Sequence, residues 1–213
     1  MEKKVTTVLC FKNNRFYFDK IEYDAEDSIK YADIIANDST YVLHDTVMTS
    51  FNGSNSYITK HSHEFWVDGM NIRIEKLITD NSSVLDGNYL IELADRVYIL
   101  GTSMYADFHG SWHLGYLRRD DFIGTLNLIL TRGIKYVCEK YIEILNEQLS
   151  TLQRTLEEIS KVTDSYSIKE RDSFKRVNVY EETFRVHEIA SKILELSERK
   201  SGICKWLLLN YPK

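Results

Sequence analysis

Seven apolar residues, Cys138, Ile142, Leu145, Leu149, Leu152, Leu156 and Ile159, follow one another at steps of 4, 3, 4, 3, 4 and 3. This is the seam of a coiled coil sustained over three heptads. So narrow a stripe cannot be buried by its own helix and must meet a matching stripe on another one. The sequence supplies a candidate downstream, where Val186, Ile189, Ile193 and Leu196 repeat at 3, 4 and 3 beyond the polar stretch Thr163 to Ser167, which reads as a loop. Two arrangements satisfy both stripes. One is an antiparallel hairpin closed on itself, which a short connection favours; the other is a coiled coil between copies or with another protein. A helix also precedes the seam: Asp120 and Asp121 place carboxylates in a first turn, where the helix dipole favours them. Phe122, Ile123, Leu126, Leu130 and Ile134 then follow at helical spacing, with Gly133 as the bend into the seam.

The N-terminal half reads differently. Thr6–Phe11 and Arg15–Asp19 are strand-like and flank Lys12-Asn13-Asn14, where asparagine tolerates the positive φ of a tight hairpin turn. Further strands are expected at Lys30 to Ile35, Tyr41–Leu43 and Thr46–Thr49, each rich in β-branched or aromatic residues. The polar group Gly53-Ser54-Asn55-Ser56 suits an N-cap, so a helix is expected through Tyr57, Ile58, His61 and Phe65. Between Ile72 and Ile78 the spacing fits either period. Tyr89–Leu93 and Arg96–Leu100 read as strands broken by Ala94-Asp95. The fold class implied is α+β, with residues 1–135 forming a β-rich domain and residues 136–213 a helical extension.

Composition narrows the function classes. A net charge of −5 over 213 residues opposes a broad grip on phosphate backbones, which is built from clustered Lys and Arg. No nucleic-acid partner is expected. No apolar run approaches the roughly 18 residues of a membrane span, and Met1-Glu2-Lys3-Lys4 leads into a strand-like segment rather than a signal-peptide core. A cytoplasmic protein with no membrane partner is expected. The 3 cysteines, Cys10, Cys138 and Cys204, are widely spaced without a C-x-x-C pair, and they read as small buried hydrophobes.

The order of these segments resembles the proteasome β-subunit and related bacterial peptidases, members of the N-terminal nucleophile hydrolases. Thr6-Thr7-Val8-Leu9 is similar to that family's first strand, and Ser28-Ile29-Lys30-Tyr31 to the strand bearing its lysine. Thr49–Ser54 resembles the turn into its first helix, Tyr98–Ala106 the turn opening its next helix, and Arg119–Ile123 the start of the helix after that. The resemblance covers residues 5 to about 135. It implies two stacked antiparallel sheets between helical layers. It also implies a site in which Thr6, freed at its α-amine, is the nucleophile, Lys30 tunes proton transfer, Asp19 is the acidic partner, and Thr102 or Ser103 relays protons. Each residue has a plainer role beside this one: strand residue, edge charge, strand end or helix cap.

Three features of the chain separate it from an active member. Val5 stands where the family places a glycine before its nucleophile. Thr6 and Lys30 are only 24 positions apart. Where the family returns with two final strands carrying an aspartate and a serine, this chain runs into the coiled-coil seam. The function expected is therefore a non-catalytic protein of hydrolase ancestry that binds or scaffolds a protein partner, or assembles with copies of itself, through its C-terminal coiled coil. The alternative is a self-processing threonine peptidase or amidase built on Thr6.

Other motifs add little. His109 and His113 at i, i+4 would share a helical face and could hold a metal with His61 or His63, but the Glu of zinc proteases is absent, and with Phe108, Trp112 and Leu114 interleaved the rim of an aromatic cluster is the plainer setting. There is no G-x-x-x-x-G-K-[ST], no G-x-G-x-x-G and no G-x-S-x-G, so no cofactor is expected. Ile203–Leu209 is the most apolar stretch. It reads as core docked on the helical hairpin, or else as a partner site.

Overall fold

At Asn13 and Asn14 the backbone takes φ of 53° and 55°, the pair of left-handed residues that a two-residue type I′ turn requires. This turn sets the register of the hairpin between β1 (Lys3–Lys12) and β2 (Arg15–Asp24), which pair without interruption from Lys12↔Arg15 to Lys3↔Asp24. Asp68 and Gly69, at φ of 52° and 77°, make a second such turn. It joins strands β5 (Ser62–Val67) and β6 (Met70–Lys76). The computed structural model describes residues 3–24, 39–51, 54–60, 62–76, 89–101, 104–106, 112–165 and 176–212.

The remaining elements are β3 (Tyr41–Phe51), β4 (Ser54–Lys60), β7 (Tyr89–Leu93), a 3-10 turn (Ala94–Arg96), β8 (Val97–Ile99), β9 (Met104–Ala106), β10 (Trp112–Leu114), α1 (Arg119–Arg132), α2 (Ile134–Ser165) and α3 (Arg176–Asn210). The described residues are thus α+β, with antiparallel sheets of order β2-β1-β3-β4 and β5-β6-β7-β8 and a two-stranded β9-β10 ribbon. The chain divides into two units, one of Met1–Ile99 with Leu117–Val137 and the other of Leu100–Tyr116 with Cys138–Lys213. Leu100–Tyr116 therefore belongs with the helices rather than with the strands that precede it.

In the first unit β1 is buried on both faces, since the successive residues Val8, Leu9 and Cys10 are all enclosed. A continuous apolar run rather than an alternating one is what such a strand needs. On one face Tyr17, Ile21 and Tyr41 pack against Val8 and Cys10. Aromatic rings fill the other side: Phe16 lies 4.6 Å from Phe11 and 5.1 Å from Phe65, and Phe18 lies 5.5 Å from Tyr89. Helix α1 rests on β2 and β7 through Phe122, Leu126 and Ile129, all fully buried, and the Phe122 ring stacks on Tyr89 at 4.5 Å. Arg119 places its guanidinium 5.3 Å from the Phe18 ring centre. Gly133, at φ 83° and ψ 164°, ends α1 by donating its N–H to Ile129 O at 3.0 Å; a left-handed φ of this kind favours glycine.

Three expectations from the sequence are corrected here. The helix expected from Gly53-Ser54 through Phe65 is absent, because β4 and β5 occupy those residues. Burial along β5 alternates residue by residue, the period of a half-buried strand and not of a helix. Tyr41–Leu43 and Thr46–Thr49 are one strand, β3, with an irregular register between His44 and Val47 where the sequence suggested a break. Thr163 to Ser165, placed in a loop, are the last turn of α2. The ambiguous stretch from Ile72 resolves as strand through Lys76, and Lys30 to Ile35 lies outside the described residues.

In the second unit, the Tyr141 hydroxyl donates to Leu100 O at 2.7 Å and accepts from Leu100 N–H at 3.3 Å, tying the start of this unit's first segment to α2. Gly101 is enclosed by backbone, since a Cβ there would stand 2.4 Å from Tyr116 O. Helix α3 packs against β10.

Candidate interaction surfaces

Thr6 sits inside β1 opposite Ile21, and Asp19 sits on β2 opposite Val8. The two are therefore on neighbouring strands, two rungs apart. Asp19 is exposed, and its Oδ1 accepts the N–H of Lys20 at 2.8 Å. Lys30, Thr102 and Ser103 lie outside the described residues, as do His61 and His109. His113 is in strand β10, opposite Tyr105, so the helical face presumed by an i, i+4 pairing is not formed at that residue. His63 is half-buried in β5 with its ring 6.4 Å from that of Phe65. Among the described residues no group of three or more His, Cys, Asp or Glu is arranged to hold a metal. No helix among them is long and apolar enough to cross a membrane.

Two surfaces stand out. On the β5–β8 sheet, one face carries the buried Ile72, Ile74, Ile91 and Ile99, and the alternate residues form the other. A polar row crosses that second face. Arg73 is directly opposite both Glu64 and Glu92; it reaches the Glu92 carboxylate at 3.3 Å and that of Glu75 at 3.0 Å. The Tyr98 hydroxyl donates to Glu92 at 3.4 Å, and Asn71 Nδ2 donates to Glu64 at 3.1 Å. Burial, and then the Glu92 carboxylate, push the Tyr98 phenol above its ordinary pKa. Trp66 stands 70% exposed on the same face, opposite Asn71. Arg73 is partly open to solvent and its two partners are half-buried, so solvent screens these pairs and their contribution to stability is modest. Trp66, and to a lesser degree Tyr98, are the exposed aromatic residues described on this face.

The second surface is helical. On α2 Cys138, Tyr141, Leu145 and Leu149 are buried, whereas Leu152, Leu156 and Ile159 are only half-buried. Tyr141 takes the inward place that the seam assigned to Ile142, because its hydroxyl is held by the Leu100 backbone. On α3 the order is reversed: Val186, Ile189 and Ile193 are half-buried, whereas Leu196, Ile203 and Trp206 are buried. The helical period splits the terminal apolar stretch, leaving Leu208 and Leu209 exposed beside the buried Ile203 and Trp206. Trp206 Nε1 has no hydrogen-bond acceptor among the described residues. Burial pushes the Cys138 thiol up to about 12, with the Glu139 carboxylate adding to it. That thiol is inert at neutral pH.

Sequence reasoning missed Trp66 and Leu194, whereas Leu208 and Leu209 lie in the apolar stretch read as core or else as a partner site. The Asp68-Gly69 dipeptide between alternating residues was the available signal for β5, and with it for the placement of Trp66. Compared with known proteins, the chain matches no family model, no curated protein and no solved structure.

Proposed function

We propose that this protein is a non-catalytic binding or scaffolding protein whose C-terminal helices α2 and α3 form an antiparallel coiled coil that docks a protein partner. The carrying observation is the burial along the two stripes. Cys138 and Ile203, which are equally far from the connecting residues 166–175, are both fully buried, and so are Leu145 and Leu196. Leu152 and Ile189, again equally far from those residues, are half-buried, and so are Leu156 and Val186, which depart from that spacing by one position. Apolar seam residues therefore continue past the region that the chain itself encloses. A seam maintained there at heptad spacing is suited to a further helix.

A threonine hydrolase built on Thr6 finds less support. Freeing the Thr6 amine would remove Lys3, Lys4 and Val5, which form rungs of β1 with Asp24, Tyr23 and Glu22. The cut would fall within a paired strand rather than at its start.

The test is the variant Leu152→Asp with Leu156→Asp. It is expected to abolish partner capture, while the urea unfolding of the first unit, followed by hydrogen exchange of its strand amides, stays unchanged. Partner capture that survives the pair overturns the proposal. An intact-mass measurement showing a mature chain that begins at Thr6 would overturn it in favour of the hydrolase.

A further inference from the structure

Resting on the reading of the helical unit as an assembly module, we infer that the solvent-facing side of α3 docks antiparallel on the same side of α3 in a second copy of this chain. Ala190, Leu194, Ser197, Ser201, Cys204 and Leu208 recur at 4, 3, 4, 3 and 4, a second heptad stripe distinct from the one that carries Leu196 and Ile203. All but the half-buried Cys204 are exposed, and Leu194 and Leu208 are 61% and 70% exposed. The other four positions are small, which lets two helix axes approach closely and gives each leucine space on the facing helix.

Charge selects the occupant and its direction. In an antiparallel pair the residues flanking the stripe meet their own kind of position on the other helix. With Ser201 facing Cys204 of the second copy and Leu208 facing its Ser197, Glu198 meets Lys205 of the second copy, and symmetry repeats that contact. Lys200 then lies along Leu207 of the second copy, over which its methylenes can pack. Sliding by one heptad would set Glu198 against Glu198 and Lys200 against Lys200. A parallel, in-register pair would set Lys200 against Lys205. Like charges penalise both alternatives. Within the chain, neither Glu198 nor Lys205 has an ion-pair partner among the described residues.

The experiment is sedimentation equilibrium on the full chain at low and high salt, with Glu198→Lys, Lys205→Glu, their double variant, and an equimolar mixture of the two single variants. Each single variant turns two attractive contacts into two repulsive ones and is expected to weaken self-association about tenfold. The double variant and the mixture both restore complementary pairs and are expected to recover wild-type association. Single variants that associate as tightly as the wild type, or a mixture that fails to recover, overturn the inference, as does a wild-type chain that stays monomeric. These variants leave the α2 seam intact. Loss of partner capture on Leu152→Asp with Leu156→Asp, combined with self-association indifferent to the charge swaps, would retain the proposed function and reject this surface alone.

Discussion

Asn127 caps the edge of a sheet by binding both backbone groups of one residue: its Nδ2 donates to Phe16 O and its Oδ1 accepts from Phe16 N–H, each at 2.9 Å. Phe16 belongs to β2, which lies at the end of the β2-β1-β3-β4 order. An edge strand presents unpaired N–H and C=O groups to any passing strand. A side-chain amide has the donor and acceptor spacing to imitate one rung of a neighbour. The contact also ties α1 to β2 at the residue whose ring enters the aromatic cluster.

Asn127→Ala leaves both backbone groups unpaired in a half-buried place, and a loss of about 1–3 kcal/mol is expected. Asn127→Asp should cost more, because a carboxylate oxygen replaces the donor facing Phe16 O. Urea unfolding measures both, with the exposed neighbour as control: Leu128→Ala should stay within about 0.5 kcal/mol of wild type. An Asn127→Ala loss no greater than the control would reject the edge-capping role.

Cys138 predicts a pH dependence on the alkaline side. Its folded-state pKa is raised to about 12, against about 8.5 in an unfolded chain. Below about pH 8.5 both states hold the proton, so the group adds no slope. Above it the unfolded chain releases the proton while the folded chain retains it. Stability should then fall by about 1.4 kcal/mol per pH unit until the folded pKa is reached. Urea midpoints from pH 8 to 10.5 are the measurement, and the difference between wild type and Cys138→Ala isolates the thiol. Parallel curves for the two proteins would contradict the assignment.

Gly133 and Gly124 should respond to alanine with opposite signs. Gly133→Ala forces a Cβ onto a backbone at φ 83°, with Asp68 Oδ2 only 3.3 Å away, and should destabilise by about 1–3 kcal/mol. Gly124 lies inside α1, and a Cβ there would meet nothing within 4 Å; alanine should stabilise by about 0.5–1 kcal/mol. Thermal denaturation of the two variants gives the comparison. A shift of the same sign in both would mean that helix propensity and the left-handed bend are not what governs these positions.

Parts of the fold were legible because the cause is local. Asn13 and Asn14 announce their hairpin, since few residues tolerate two successive positive φ values. Gly133 announces the end of α1 for the same reason. The stripes of α2 and α3 are readable because a helix repeats its faces over many turns. The candidate site was less legible. Tyr57, Ile58 and Phe65 fit a helix as well as a strand when only three residues are counted, and the pairing of β4 with β3 and of β5 with β6 decided the matter. The exposed stripe of α3 was hidden because four of its six positions are small residues, which carry no hydrophobic signal of their own.

The sequence by itself determined that helical stripes follow Asp120 and Asp121, run on from Gly133 and return at Val186–Leu196, and that these stripes need partners, since such features follow from period and backbone preference within a few turns. It did not give the ends of α2 and α3. Only the tertiary structure decided how far those stripes are enclosed, that Tyr141 displaces Ile142 from the inward position, and that Asn127 reaches Phe16 across 111 positions of chain. Burial and long-range pairing are properties of what the folded chain places next to a residue. No local pattern encodes that neighbour.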